Sequence, residues 1–81
     1  MDNDIASERV QIERKVFFLD LKENVRGSFL RITEDVRGRR DTIVIPATGL
    51  IDFREALDRL IAQVPVQQDA VPLSDEESPV M

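Results

Sequence analysis

Residues 15–34 of the chain read KVFFLDLKENVRGSFLRITE, and this stretch decides the fold. Apolar residues occupy every second position before its centre and again after it. Side chains two positions apart share one face of a β-strand, so the pattern predicts two strands. The centre, residues 24–27, contains Asn and Gly, which tolerate the positive φ of a tight hairpin turn. The residues predicted to face inward are Phe17, Leu19, Leu21, Leu30 and Ile32.

Two further strands flank this hairpin. Val10 and Ile12 alternate with polar neighbours, which predicts a short half-buried strand ahead of it. Residues 42–45 form a β-branched run that Pro46 terminates or places at a sheet edge. The arginine- and glycine-containing segment 35–41 is predicted to be the turn before that run. Because all the links are short, an antiparallel meander is the simplest topology.

The spacing of apolar residues changes after this fourth strand. They now recur at steps of three and four, which predicts one helix of about four turns. Thr48 is the expected N-cap of this helix, and Pro65 is expected to stop it. The fold class is therefore α+β: a four-stranded antiparallel sheet followed by one helix (ββββα), with one sheet face packed on the helix. The apolar stripe consists of Leu50, Phe53, Leu57, Leu60, Ile61 and Val64.

The length of 81 residues allows one small domain. We assign it to residues 7–64, after a flexible N-terminus at residues 1–6. Residues 65–81 contain three of the four prolines, four acidic residues and no aromatic or basic residue. Such a segment buries too little apolar surface to offset its ordering entropy, so we predict a disordered acidic tail.

The residue inventory excludes several classes of site. The chain has no His and no Cys, which rules out Ser-His-Asp and Cys-His catalysis and thiolate zinc sites within it. A hydrolase or metal site built from Glu and Asp alone stays open, but 81 residues leave little room for a dry cleft. We therefore expect no enzyme activity, no cofactor or metal, and no small-molecule substrate. No apolar run approaches membrane-spanning length and residues 1–4 do not resemble a signal peptide, so we expect a cytoplasmic protein without a membrane partner.

The net charge of −5 conceals an uneven distribution. Residues 9–45 carry nine basic groups against six acidic ones, whereas both ends of the chain are acidic. A basic body between acidic ends favours an anionic partner.

Several candidate binding residues lie within ten positions of one another, at the central hairpin and its strand ends. Single-stranded nucleic acid requires cations along its phosphates and aromatic or guanidinium planes on which bases stack. An Asn side chain can also read a base edge. The five candidates at the central hairpin are Lys22, Asn24, Arg26, Phe29 and Arg31. Arg14 and Lys15, at the preceding turn, are expected to extend the patch that these five residues form.

The residues alone leave alternatives open. The charges also fit an ordinary solvated sheet face, with Phe29 belonging to a dimer core. A second basic cluster, formed by Arg37, Arg39 and Arg40, either holds phosphates or keeps a hairpin in solution.

Residues 15–34 resemble a repeat of the Pur-alpha family, purine-rich-element-binding proteins that bind single-stranded DNA and RNA. Residues 53–61, FREALDRLI, resemble the helix of the same family. The resemblance implies a ββββα PUR repeat, Whirly-like in fold, that pairs with a second repeat. Because this chain holds one repeat, as in a bacterial single-repeat member, the resemblance implies an intertwined homodimer that pairs through the helix and the sheet.

The resemblance also implies roles for residues. Those matching Lys22, Asn24 and Arg26 contact bases and backbone, and the aromatic matching Phe29 stacks against or wedges between bases. The first turn, residues 13–15, also contacts nucleic acid in the family.

The prediction is thus a homodimeric single-stranded nucleic acid binder that prefers purine- or G-rich sequence, acts in transcription regulation and is cytosolic or nucleoid-associated. The alternative is a dimeric protein–protein interaction module that does not bind nucleic acid. A further hypothesis is that the acidic tail, residues 69–77, competes with nucleic acid for the basic face.

Overall fold

The computed structural model describes residues 2–65, and these form four strands followed by one helix. The sheet order is β1-β2-β3-β4, and each neighbouring pair is antiparallel. The predicted ββββα order and meander topology are therefore confirmed. The elements are β1 (Asn3–Ile12), β2 (Lys15–Asn24), β3 (Gly27–Val36), β4 (Arg39–Pro46), a 3-10 turn (Ala47–Gly49) and α1 (Leu50–Ile61).

Each hairpin turn consists of two residues, which fixes the register of the sheet. Arg37 and Gly38 both have positive φ, 56° and 86°, as a tight turn with the right-handed strand twist requires. The turn predicted over residues 35–41 is therefore shorter than expected and consists of Arg37 and Gly38. The other residues of that segment belong to β3 and β4. The first turn has Glu13 at a φ of 56°, although nothing in its sequence marks it as a turn residue.

Strand β1 is longer than the sequence predicts. It begins at Asn3, and Asn3 pairs with Glu23 near the far end of β2. The expectation that residues 1–6 are loose is wrong for residues 3–6, because pairing with β2 orders a segment that has no apolar alternation of its own. Met1 and residues 66–81 of the predicted tail (65–81) lie outside the described residues.

The strand register separates the side chains into two faces. The apolar face carries Val10, Phe17, Leu19, Leu21, Leu30, Ile32, Ile43 and Ile45. The polar face carries Asp4, Ser7, Phe18, Asp20, Lys22, Phe29, Arg31, Thr33, Arg40, Thr42 and Val44. The predicted inward residues of the central hairpin thus share one face, and the candidate residues Lys22, Phe29 and Arg31 share the other.

Helix α1 does not cover the sheet of its own chain. Its contacts within the chain are chiefly with the 3-10 turn that precedes it, and Phe53 and Leu60 on its stripe are 41% and 65% exposed. The prediction that one sheet face packs on the helix is therefore wrong within a single chain. No hydrophobic residue among residues 2–65 is buried. Within residues 2–65, the apolar face of the sheet and the apolar stripe of α1 are therefore both left uncovered.

The start of the helix also differs from the prediction. The N-cap position is Gly49, which forms no side-chain cap hydrogen bond, and Thr48 lies in the preceding 3-10 turn. Asp52 does lie in the first turn, where the positive end of the helix dipole favours a carboxylate. The helix ends at Ile61, before Pro65, so it is shorter than the predicted four turns.

Candidate nucleic-acid interface

The β2–β3 hairpin brings a cation and an aromatic ring together. Lys22 and Phe29 are direct cross-strand partners on the polar face. Cross-strand partners in an antiparallel pair have Cβ atoms about 4.5–5.5 Å apart, so the ammonium group and the ring form one patch. Both side chains are half-buried, which holds them in place while leaving part of each accessible.

Asn24 shapes the turn beside this pair. Its Oδ1 accepts a hydrogen bond of 2.8 Å from the backbone N–H of Arg26, the arrangement by which Asn side chains stabilise tight turns. Its Nδ2 donates to Asp2 Oδ1 at 3.1 Å. Both ends of the Asn24 amide are therefore engaged within the chain, and Arg26 is left exposed at the hairpin tip. The Arg26 guanidinium forms no ion pair within residues 2–65.

Lys22 is paired with a carboxylate from β1. Its Nζ lies 2.5 Å from Asp4 Oδ1, and the Lys22 side chain is only 13% exposed. The hydrogen bond from Lys22 and the charge of that ammonium lower the pKa of the Asp4 carboxyl, with a smaller contribution from Arg31. The cation that the sequence selects as a phosphate contact thus already has an anionic partner.

Arg31 lies next along the polar face and is held by Asp20. The Arg31 Nη2 to Asp20 Oδ2 distance is 3.7 Å, and Asp20 also accepts a hydrogen bond of 2.7 Å from Ser7 Oγ. The Nε of Arg31 is buried and has no hydrogen-bond partner among the described residues. Arg31 is therefore anchored but not fully satisfied.

A second aromatic–cation pair, formed by Phe18 and by Arg40 of the second basic cluster, lies farther along the same face. The Arg40 guanidinium lies 5.7 Å from the centre of the Phe18 ring, within cation–π range. Arg40 also pairs with Asp35 at 2.9 Å. The third turn has two residues, so the alternation of faces along β3 continues into β4 and places Arg40 on the polar face. Counting along the sequence in this way would have predicted the pair.

The polar face therefore carries a continuous stripe of cations and aromatic rings. It starts at the exposed hairpin tip and crosses the middle of the sheet. Its members, in order from that tip, are Arg26, Lys22 with Phe29, Arg31, and Phe18 with Arg40. We call this set the polar-face stripe.

Arg14 and Lys15 do not join this stripe within one chain. Lys15 is at the opposite end of β2 from Lys22, about 23 Å away at ~3.3 Å per residue, and it lies on the apolar face. Its Nζ pairs with Glu34 Oε2 at 3.1 Å. The expectation that these residues extend the patch is wrong at the level of one chain. Instead, they line an open depression with Arg37 and Arg39, and their contact with nucleic acid stays a prediction.

Comparison with known proteins decides the family. The sequence model described as "PurA ssDNA and RNA-binding protein" matches residues 1–81. The chain belongs to this PurA family. The resemblance found in the sequence is therefore confirmed, together with the expectation of a single-stranded DNA- and RNA-binding family.

Curated PurA relatives show how much of a longer protein this chain matches. It is 41% identical to human "Transcriptional activator protein Pur-alpha" over 81 residues, covering 91% of this chain and 25% of that protein. It is 43% identical to human "Transcriptional regulator protein Pur-beta" over 72 residues, covering 70% of this chain and 23% of that protein. For "Transcription factor Pur-alpha 1" of Arabidopsis thaliana the values are 43% over 52 residues, 64% and 18%.

The chain thus spans between about a fifth and a quarter of the length of these curated relatives. The PurA family is one of nucleic-acid-binding proteins rather than of enzymes. In residues 2–65, no three His, Cys, Asp or Glu side chains group as a metal site would need. The same part of the chain contains no helix with the length and hydropathy to cross a membrane. The predicted cytoplasmic location stays a prediction.

Proposed function

We propose that this PurA-family chain binds single-stranded DNA or RNA along its polar-face stripe, without catalysis, and prefers purine-rich sequence. The pairing of Lys22 with Phe29 carries the proposal, because it places a cation suited to phosphate beside a ring suited to base stacking on one face of the sheet. The transcriptional names of its relatives suggest a role in gene regulation, which we propose for this chain as well.

The residues divide the work by their exposure. Arg26, exposed at the hairpin tip, supplies the larger part of the salt-dependent affinity through counterion release, and Lys22, which is 13% exposed, supplies a smaller part. Phe29 supplies base stacking, and Arg31 supplies a further cation on the same face. Arg14 and Lys15 form a second contact at the other end of the sheet, where the neighbouring Arg37 and Arg39 add positive charge.

Asn24 has two roles in this proposal. Its Oδ1 holds the turn that presents Arg26, and its amide reads a base edge when its hydrogen bond to Asp2 opens. Asn24→Ala is therefore expected to change base preference more than total affinity. Equal weakening of purine and pyrimidine oligonucleotides would contradict the reading role and leave only the structural one.

We further propose that the binding unit is a homodimer. The apolar face of the sheet and the apolar stripe of α1 are both uncovered in one chain, and neither covers the other there. Two copies related by a two-fold axis can each place a helix on the partner sheet, which closes both surfaces at once. This arrangement leaves the polar-face stripe of each copy available to a ligand.

The test is fluorescence anisotropy of three labelled oligonucleotides, a GGN repeat, an oligo-dT and a duplex, across a salt series. Tight binding of the G-rich single strand, a steep salt slope and weak duplex binding are expected. Equal affinity for oligo-dT would remove the purine preference but keep single-strand binding. A folded dimer that binds no oligonucleotide would overturn the proposal and favour a protein-interaction module.

A further inference from the structure

We propose that Asp2 and Asp4, at the start of β1, act as an internal competitor that single-stranded nucleic acid must displace from the polar-face stripe. The inference rests on the proposed function and concerns the regulation of the same site. Neither the strand pairing nor the apolar packing requires carboxylates at these two positions, and the inference gives them a role.

The first observation is that both carboxylates occupy the donors assigned to nucleic acid. Asp4 Oδ1 lies 2.5 Å from Lys22 Nζ, and Asp2 Oδ1 accepts from Asn24 Nδ2 at 3.1 Å. A carboxylate and a phosphodiester are both anionic oxygen acceptors, so they compete for the same N–H groups. With Asp4 in place the Lys22 side chain is only 13% exposed, so Lys22 is covered as well as neutralised.

The second observation is a one-residue β-bulge that aims these carboxylates. Asp4 pairs with Lys22 and Ala6 pairs with Leu21, which leaves Ile5 without a partner in the ladder. A regular period of two would place Asp4 on the apolar face with Ala6. The extra residue transfers it to the polar face, in keeping with the general use of bulges to re-aim side chains. Asp2, two positions before Asp4, moves with it.

The third observation is that Asp2 and Asp4 lie at a strand end that can separate from β2. Strand β1 is an edge strand, paired on one side only, and all of its residues are exposed. Asn3 and Asp4 are at its end, where separating from β2 breaks few hydrogen bonds. Fraying of strand ends has a low free-energy cost compared with global unfolding. Opening of this end exposes Lys22 and frees the Asn24 amide together.

Internal pairing has a measurable consequence for salt dependence. A free lysine that binds a phosphate releases a condensed counterion from the nucleic acid. When Lys22 must first leave Asp4, the liberated carboxylate attracts a cation from solution, which cancels much of that release. Removing the Asp4 charge is therefore expected to raise affinity and to steepen the salt slope by about 0.7, the increment for one phosphate on a single strand.

The experiment compares Asp4→Asn with Glu23→Gln in the full chain. Both changes remove one negative charge at neighbouring ladder positions, but Glu23 lies beside Lys22 on the opposite face of β2. Anisotropy with a labelled GGN-repeat oligonucleotide is measured across a salt series, after size exclusion and circular dichroism have shown that each variant keeps its assembly and fold. Asp4→Asn should bind about two- to five-fold more tightly at low salt, the range for an exposed ion pair, and Glu23→Gln should match the parent chain.

A double-mutant cycle with Lys22→Gln separates competition from general charge. In the Lys22→Gln background Asp4→Asn should add little, because the group it uncovers is gone. Equal gains from Asp4→Asn and Glu23→Gln would overturn the inference in favour of overall charge. Weaker binding by Asp4→Asn would overturn it in favour of a carboxylate that positions Lys22. If the parent chain and every variant bind no oligonucleotide, the proposed function fails and this inference fails with it.

Discussion

The two faces of the sheet are built from the same four strands, but they differ in how far side chains of the same chain cover them. On the polar face, Lys22, Arg31 and Arg40 have carboxylate partners, Arg40 also lies against the Phe18 ring, and Thr33 and Thr42 share a hydrogen bond of 3.3 Å. Thr33 is the most enclosed position among residues 2–65, at 9% exposed. The apolar face has no comparable cover. Within residues 2–65 the polar face is thus largely satisfied by contacts of its own side chains, whereas the apolar face is left uncovered.

The largest effect is expected from a charge on the apolar face. Ile32 sits between Leu19 and Ile43 at the centre of that face, so Ile32→Asp would place an unpaired carboxylate in the proposed dimer core. A loss of ~3 kcal/mol or more in the free energy of unfolding, with loss of the dimer, is expected from such burial. Sedimentation and thermal denaturation measure both.

Val44→Asp is the matched control for this change. Val44 lies on β4 next to Ile43 but on the polar face, and its side chain is 56% exposed. This variant should remain a folded dimer. Dissociation of Val44→Asp with retention of an Ile32→Asp dimer would reverse the assignment of the two faces.

The next largest effect concerns the aromatic ring on the polar face. Phe29→Ala should weaken oligonucleotide binding by ~1–3 kcal/mol, the usual contribution of one stacked base, while the dimer persists. Phe29→Tyr keeps the ring and should bind nearly as well, whereas Phe29→Leu keeps only apolar volume and should resemble alanine. Anisotropy gives the affinities. Wild-type affinity for a dimeric Phe29→Ala chain would show that the ring does not stack on bases.

A smaller effect should distinguish the two cations at the hairpin. Arg26 has no ion-pair partner within residues 2–65, whereas Lys22 has Asp4. Arg26→Gln should reduce the salt slope by about 0.7, the contribution of one phosphate, and Lys22→Gln should reduce it by less. The slopes come from the salt series described above. A larger slope change for Lys22→Gln would indicate that Asp4 does not screen this lysine in the bound state.

The smallest effect is expected from pH. The Lys22 hydrogen bond and charge lower the pKa of the Asp4 carboxyl from its ordinary value, and Lys22 and Arg31 are the cations that face it. A carboxyl whose pKa is lowered by folding stays ionised above its ordinary value, and its pairing is lost only as pH falls through the lowered pKa. The affinity ratio of Asp4→Asn to the parent chain should therefore be the same at pH 7 and pH 5. A ratio that approaches one by pH 5 would contradict the pairing of Asp4 with Lys22.

Much of this fold is readable from local pattern. The period of two in residues 15–34 predicts both central strands and the face on which each side chain lies, and Asn24 with Gly27 predicts their turn. Local pattern does not predict the part of strand β1 at residues 3–6, because its order derives from hydrogen bonds to β2 and not from its own apolar residues. The bulge at Ile5 is likewise a property of the pair.

Helix α1 shows another limit of prediction from the sequence. The period of α1 predicts an apolar stripe that must be covered, but no periodicity tells which chain covers it. The place of Lys15 was, by contrast, available by counting. Lys15 and Lys22 are seven positions apart on one strand, an odd number, so the two side chains point to opposite faces at opposite ends.

The bulge at Ile5 has a consequence for solubility. Strand β1 presents one row of unpaired backbone N–H and C=O groups along the sheet edge, and such rows act as templates for aggregation. Natural proteins protect these edges with bulges and charged side chains, and the start of β1 has both within Asp2–Ile5. The segment that aims a carboxylate at Lys22 therefore also interrupts the edge along which sheets of different molecules would join.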